Sequence, residues 1–173
     1  MNIADLDLDT RQFHWLSVNT LDIPSDYRYW IMLPGSLTRA LRERTDQFSV
    51  KVIEQKDLQC LWPYTGQDIQ TNCFSRKVLL MNAEQPWVAA HTLIPYSSLE
   101  NGLDELTRLK NKPLGELLFA RTDTQKDHIQ ACQTSDGWGR RSRYILHGQP
   151  LLVSEFFLPG LIEHEYQRTA SLY

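Results

Sequence analysis

Residues 74–95 read Phe74-Ser75-Arg76-Lys77-Val78-Leu79-Leu80-Met81-Asn82-Ala83-Glu84-Gln85-Pro86-Trp87-Val88-Ala89-Ala90-His91-Thr92-Leu93-Ile94-Pro95. Two runs rich in aliphatic residues flank a short polar break at 82–86, the pattern of a strand, a turn and a return strand stopped by proline. A second pair of runs, 141–147 and 151–158, flanks Gly148-Gln149-Pro150 in the same way. The hairpins also share spacing: Arg76 and Arg140 each stand ten residues before the turn proline, and His91 and Glu155 each stand five after it. Two short matches fall well below the sustained period of a repeat protein, so duplication and coincidence both remain open. Either way, the middle and end of the chain read as an antiparallel sheet.

Working outward, Pro24-Ser25-Asp26 is a helix-start signal ahead of Tyr27 to Leu33. Pro34-Gly35 breaks that segment, and Ser36 is a natural N-cap for a short helix from Leu37 to about Arg44. Phe48, Val50 and Val52 alternate with polar residues as a strand does, whereas 56–71 read as a long polar loop. Leu99 to Leu109 has helical spacing at Leu103, Leu106 and Leu109, and Pro113 suits the start of a helix over 114–119. A strand is expected at 128–133, and a tight connection at Asp136-Gly137-Trp138-Gly139. The loop at 56–71 and the polar stretch near Glu100 are the candidate lids. The expected architecture is α+β: one domain over 1–173, an antiparallel sheet of about six strands with helices packed on it. Its ends, 1–23 and 160–173, carry little signal.

Composition removes several classes. With 173 residues and 42% hydrophobic content the chain can bury one sizeable core. Eighteen basic against 21 acidic residues, a formal charge of −3, make bulk polyanion binding a poor expectation. Cys60, Cys73 and Cys132 are widely spaced and odd in number, which fits a reducing compartment better than a disulfide framework or a thiolate metal site. Asp5, Asp7 and Asp9 stand where a signal peptide needs positive charge, and no apolar run approaches a membrane span. A cytoplasmic monomer with no nucleic-acid partner and no membrane insertion is expected.

Strand parity picks out the chemistry. Alternate residues of a strand share a face, so Arg76 lies with Phe74, Val78 and Leu80, and Glu155 with Leu151, Val153 and Phe157. Each puts an ionisable group into an apolar layer, where a lone charge is costly. Two readings stay open. Arg76 and Glu155 pair with each other in the core, or they line a cavity. In a cavity Arg76 grips a ligand carboxylate and Glu155, desolvated toward its protonated form, serves as a general acid. Leu37 and Leu114 add first-turn amides, which can hold an anion but usually hold water.

Sharper motifs fail. His164-Glu165 opens like a zinc-protease helix, but position 168 is arginine rather than the second histidine. Gly137-Trp138-Gly139 lacks the third glycine of a dinucleotide fingerprint. The run Arg140-Arg141-Ser142-Arg143 on a net-acidic chain reads as a solvated strand end or a source of internal ion pairs.

Four segments carry a family resemblance: Gln85-Pro86-Trp87, Lys112-Pro113-Leu114-Gly115, Asp136-Gly137-Trp138-Gly139-Arg140-Arg141-Ser142 and Ser154-Glu155-Phe156-Phe157-Leu158-Pro159. In this order they resemble the bacterial chorismate lyases, from about residue 24 to 159. The resemblance implies conversion of chorismate to 4-hydroxybenzoate and pyruvate, the entry step of ubiquinone synthesis. It implies Arg76 at a ligand carboxylate, Glu155 at the substrate ether or product hydroxyl, and main-chain contacts from Leu37 and Leu114. Aromatisation supplies the drive, so the site is asked for position and electrostatics, and no cofactor and no metal is expected. His91 stands where relatives often carry arginine, and Leu37 where methionine is common. A sensing domain of the same fold for aromatic carboxylates is the alternative function.

Overall fold

The computed structural model describes residues 13–63 and 69–171. In chain order they form β1 (Leu16–Ser17), α1 (Ser25–Met32), α2 (Leu37–Arg42), β2 (Phe48–Trp62), β3 (Ile69–Asn82), β4 (Gln85–Pro95), the turn α3 (Tyr96–Ser98), α4 (Leu114–Ala120), β5 (Gln125–Thr134), β6 (Gly137–Leu146), β7 (Gln149–Phe157) and α5 (Pro159–Ala170). The strands make one antiparallel sheet in the order β1-β5-β6-β7-β4-β3-β2. Six of them are the expected strands; the seventh is the two-residue β1 at the edge, too short for any periodicity. No helix among the described residues is long and apolar enough to cross a membrane.

Three local expectations need correcting. Residues 56–71 are mostly strand: β2 continues to Trp62 and β3 starts at Ile69, while 64–68 lie outside the described residues. Leu58, Cys60 and Trp62 pack with Cys73, Leu93 and Leu152, while Gln55, Asp57 and Gln59 are exposed. A strand wet on one face is polar at every second position, which in composition resembles a loop. The turn before β6 is Ser135-Asp136 alone, so Gly137, Trp138 and Gly139 belong to the strand. The expected helix over 99–109 is split into Leu99–Leu103 and Asp104–Arg108, because Gly102 takes φ +114°. The tail after Pro159, silent in the sequence, is α5, which seats Leu161 and Ile162 beside Trp87 and Phe157.

The turn of the second hairpin sits at His147-Gly148, with φ +51° and +72°. Positive φ at both positions is the twist-compatible two-residue hairpin turn, which needs a residue as permissive as glycine. From there β6 and β7 pair without interruption, Leu146 opposite Gln149 through Trp138 opposite Phe157. The first hairpin does not. Leu80 pairs with Val88 and Met81 with Pro86, leaving Trp87 as an extra residue, a β-bulge. Past that bulge every side chain of β4 changes face relative to its counterpart in β7. Arg140 therefore stands opposite Glu155, and its counterpart Arg76 opposite Thr92 rather than His91.

Two apolar clusters cover the face that carries Arg76 and Glu155. One joins Trp30, Ile31 and Leu41 of the helices to Trp87, Val88 and Phe157. The other joins Leu103, Leu106, Leu114 and Leu118 to Phe74, Tyr144 and Val153. The seam between them is where the chain leaves a cavity.

Candidate active site

About 510 Å³ of space, open solvent at the mouth included, lies between the sheet and the helices here. Its floor is sheet: Arg76, Val78 and Leu80 from β3, Ala90 and Thr92 from β4, Val153 and Glu155 from β7, Tyr144 from β6. Its roof is Leu37 and Thr38 of α2 with Leu114, Gly115 and Leu118 of α4. The four residues singled out in the sequence, Leu37, Arg76, Leu114 and Glu155, thus line one cavity. Period-two parity put the two charges on the apolar face, and the helix-start signals put both leucines at first helical positions. The Ser36 hydroxyl accepts from the Arg39 N–H at 3.2 Å, so the α2 cap is the expected one.

Arg76 and Glu155 do not pair with each other. Arg76 Nη2 donates to the carbonyls of Lys110 (2.8 Å) and Lys112 (3.1 Å), which pins the segment entering α4. Its Nε is buried without a partner among the described residues, and burial pulls the guanidinium below its usual range. A buried donor left unpaired costs free energy, and a wall of a cavity is where a ligand can supply the missing acceptor.

Glu155 accepts from Arg140 Nε at 2.5 Å. Arg140 is fully buried, and its Nη1 donates to the carbonyls of Trp30 (2.8 Å), Leu33 (3.2 Å) and Ile31 (3.4 Å) at the C-terminal end of α1. Cations are favoured at helix C-termini, so one guanidinium closes α1 and neutralises the site carboxylate together. Burial opposes its charge, but the Glu155 carboxylate outweighs that and lifts Arg140 above its ordinary range. Arg140 Nη2 has no partner among the described residues. The expectation of Glu155 as a solitary carboxyl in an apolar layer is thereby corrected: its charge is matched across the strand pair. The internal ion-pair reading of the arginine run holds for Arg140. Arg141 and Arg143, on the opposite face, donate to Gln130 and Asp127.

His91 is not at the cavity. The bulge turns it to the other face of the sheet, where its Nε2 lies 2.8 Å from the buried Ser75 hydroxyl. The expected equivalence of His91 and Glu155 fails for that reason, and the second cation near Glu155 is Arg140. Hairpin parity alone carried the signal for Arg140, since it shares a face with Tyr144 and stands ten residues before its turn proline.

The roof is thin. Gly115 lies so close to α2 that a Cβ there would meet Thr38 Oγ1 at 2.8 Å and Ser36 Oγ at 3.4 Å. An ion pair between Arg42 and Glu116 ties the same two helices on the outside. Phe119, partly exposed, stands where the cavity and the outer surface meet. Among the described residues neither expected lid forms this roof: 56–62 lie in β2, 69–71 in β3, and the Glu100 region packs Leu103 and Leu106 into the second cluster, while 64–68 lie outside the described residues.

Comparison with known proteins agrees with this arrangement. The family model described as chorismate lyase matches residues 10–167. A probable chorismate pyruvate-lyase of Shewanella frigidimarina is 33% identical, over 95% of this chain and 98% of its own length. The chorismate pyruvate-lyase of Photorhabdus laumondii is also 33% identical, over 90% of this chain and 95% of its own. A probable chorismate pyruvate-lyase of Photobacterium profundum is 36% identical over 76% and 77% respectively. A match that runs from β1 into α5, and so contains every residue lining the cavity, places this chain in the chorismate lyase family.

Proposed function

We propose that this protein is a chorismate pyruvate-lyase, eliminating pyruvate from chorismate to leave 4-hydroxybenzoate, and that it works in the cytoplasm at the head of ubiquinone synthesis. The observation that carries the reading is Arg76: a buried guanidinium on the cavity wall, two of its bonds fixed by Lys110 and Lys112, with Nε unpartnered among the described residues. A planar carboxylate is the anion that such a fork recognises best. The first-turn amides of Leu37 and Leu114 have no acceptor inside their own helices and complete the grip on the substrate.

In this reaction the ether C–O bond to the ring breaks and the neighbouring ring C–H hydrogen leaves as a proton. The Glu155 carboxylate, paired with Arg140, takes up that proton and passes it to the departing ether oxygen, and enolpyruvate leaves and becomes pyruvate by tautomerisation. The carboxylate is thereby restored. Aromatisation supplies the driving force, and the residues supply position and charge. Arg140 holds Glu155 in line and balances its negative charge throughout.

The test mixes purified protein with chorismate and follows 4-hydroxybenzoate and pyruvate together. Equal release of both supports the reading; release of neither overturns it. Arg76→Ala should weaken 4-hydroxybenzoate binding by about 2 kcal/mol or more, as for a charge-assisted bond lost in a buried site. Unchanged affinity in a titration of that variant would remove Arg76 from the carboxylate. Gly115→Ala should part α2 from α4, because the short Thr38 side chain cannot swing clear of the new methyl. Stopped-flow release of 4-hydroxybenzoate should then quicken several-fold, about 1 kcal/mol of lost closure, and an unaltered rate would show that the seam is not the exit.

A further inference from the structure

Where β4 ends, the sheet thins to two strands. Cys73 is the first residue of β3 to pair with β4, opposite Pro95, and residues 69–72 pair with 59–62 of β2 alone. A two-stranded ribbon is marginally stable by itself. This one carries two cysteines at its base. Cys60 stands opposite Thr71 and Cys73 opposite Leu58, so the two are diagonal neighbours with their side chains on one face. Their Sγ atoms lie 2.6 Å apart, about half an ångström beyond the S–S bond length of about 2.05 Å. Around them pack Leu58, Trp62, Leu93 and Leu152, on the face of the sheet away from Arg76 and the cavity.

From this geometry we infer that Cys60 and Cys73 form a redox site, a dithiol that low-molecular-weight disulfides oxidise reversibly to a bond stapling the β2–β3 ribbon at its base. The inference stands apart from the lyase reading and uses none of its residues. The two cysteines differ in character, as a nucleophile and a resolving thiol must. Cys60 is half-buried, so a small disulfide can reach it, whereas Cys73 is 0% exposed. The adjoining Cys60 sulfur first, and burial second, hold the Cys73 thiol well above its usual range, so Cys73 keeps its proton and donates it toward Cys60 Sγ. A hydrogen bond received favours the charged form, which makes Cys60 the nucleophile. Cys132 sits apart in another cluster, 1% exposed, its thiol pushed up to about 12 by burial, and serves as an internal control.

The exchange balances with no further reactant. The Cys60 thiolate attacks one sulfur of the disulfide R–S–S–R. That S–S bond breaks, and the first R–S⁻ leaves and takes up the proton that Cys60 lost. Cys73, deprotonated in its turn, attacks Cys60 Sγ, and the second R–S⁻ leaves with the Cys73 proton. The protein loses two hydrogens with their electrons, and the reagent becomes two thiols R–SH. In a reducing compartment such a pair rests as the dithiol and closes under oxidative load. The closed bond ties residues 60–73 into a loop, which removes conformations from the unfolded chain, and it keeps Cys60 from climbing to irreversible sulfur acids.

The experiment incubates the full chain with oxidised glutathione, quenches with acid, alkylates the remaining thiols with the protein unfolded, and weighs the tryptic peptides. Both cysteines fall in one peptide, 57–76, which follows Lys56 and ends at Arg76. That peptide should lose two hydrogens and both alkylation sites, with Cys132 alkylated and dithiothreitol reversing the change. The oxidised protein should melt about 5–10 °C above the reduced one. Cys73→Ala should stop at a glutathione adduct on Cys60, and Cys60→Ser should take up no glutathione at Cys73. Wild-type protein that keeps both thiols, that holds a lasting glutathione adduct, or that forms the bond and melts lower overturns the inference. Should Cys73→Ala not fold, the wild-type peptide mass and melting temperature decide the matter alone.

Discussion

Glu155→Gln is expected to cut chorismate turnover by about 10²- to 10⁴-fold, the usual worth of a positioned proton donor, while 4-hydroxybenzoate still binds. The substitution is chosen for what it leaves alone. A carboxamide has the same outline, and its oxygen can still accept from Arg140 Nε across the β6–β7 pair. The fold and the cavity wall should survive it, so lost turnover reports on the proton rather than on packing. Single-turnover kinetics beside a product titration would separate the two. Retained binding with lost turnover supports Glu155 as the acid. Near-normal turnover would end that role and leave an internal hydrogen transfer within the substrate, which needs no acid, as the mechanism.

Arg140→Met carries the largest expected effect on stability. The guanidinium is fully buried, pairs with Glu155 and donates to three carbonyls at the end of α1. Methionine approximates its stem but strands a buried carboxylate and several carbonyls, and breaking such a pair typically costs about 3–5 kcal/mol. That is a large share of a domain's total stability of about 5–15 kcal/mol. Urea unfolding should show it as a lower midpoint at unchanged slope. Adding Glu155→Leu to the same protein should restore part of the loss, since the stranded charge is then gone. A single variant within about 0.5 kcal/mol of wild type, the range of an ordinary surface change, would mean that water reaches and solvates Glu155.

Much of the site was legible because strand parity and helix starts are local. Arg76 and Glu155 announce themselves as charges on apolar faces, and Leu37 and Leu114 as the first residues after Ser36 and Pro113. All four reach one cavity. Their partners were less legible. Glu155 pairs with Arg140 because one uninterrupted register sets them opposite each other, and that register depends on a His147-Gly148 turn that sequence placed one residue later. His91 was misplaced by a single residue, Trp87, whose bulge flips the parity of all β4 beyond it. A bulge leaves no mark in hydrophobic periodicity when the strand is buried on both faces, as β4 is from Trp87 to Pro95.

The amino-acid sequence by itself determined the class of fold, two central hairpins, the helix starts over the site and which charges must sit in apolar layers. These follow from periods of two and 3.6 residues and from capping chemistry, both satisfied within a few neighbours. Tertiary structure alone decided which charge answers which. It brought the α1 carbonyls, Arg140 from β6, Glu155 from β7 and Lys126 from β5 to one point. It also laid α2 against α4 at Gly115 to roof the cavity. Those contacts join residues far apart in the chain, and a buried charge is indifferent to sequence distance: it requires only that an opposite charge or a polar oxygen arrive in space.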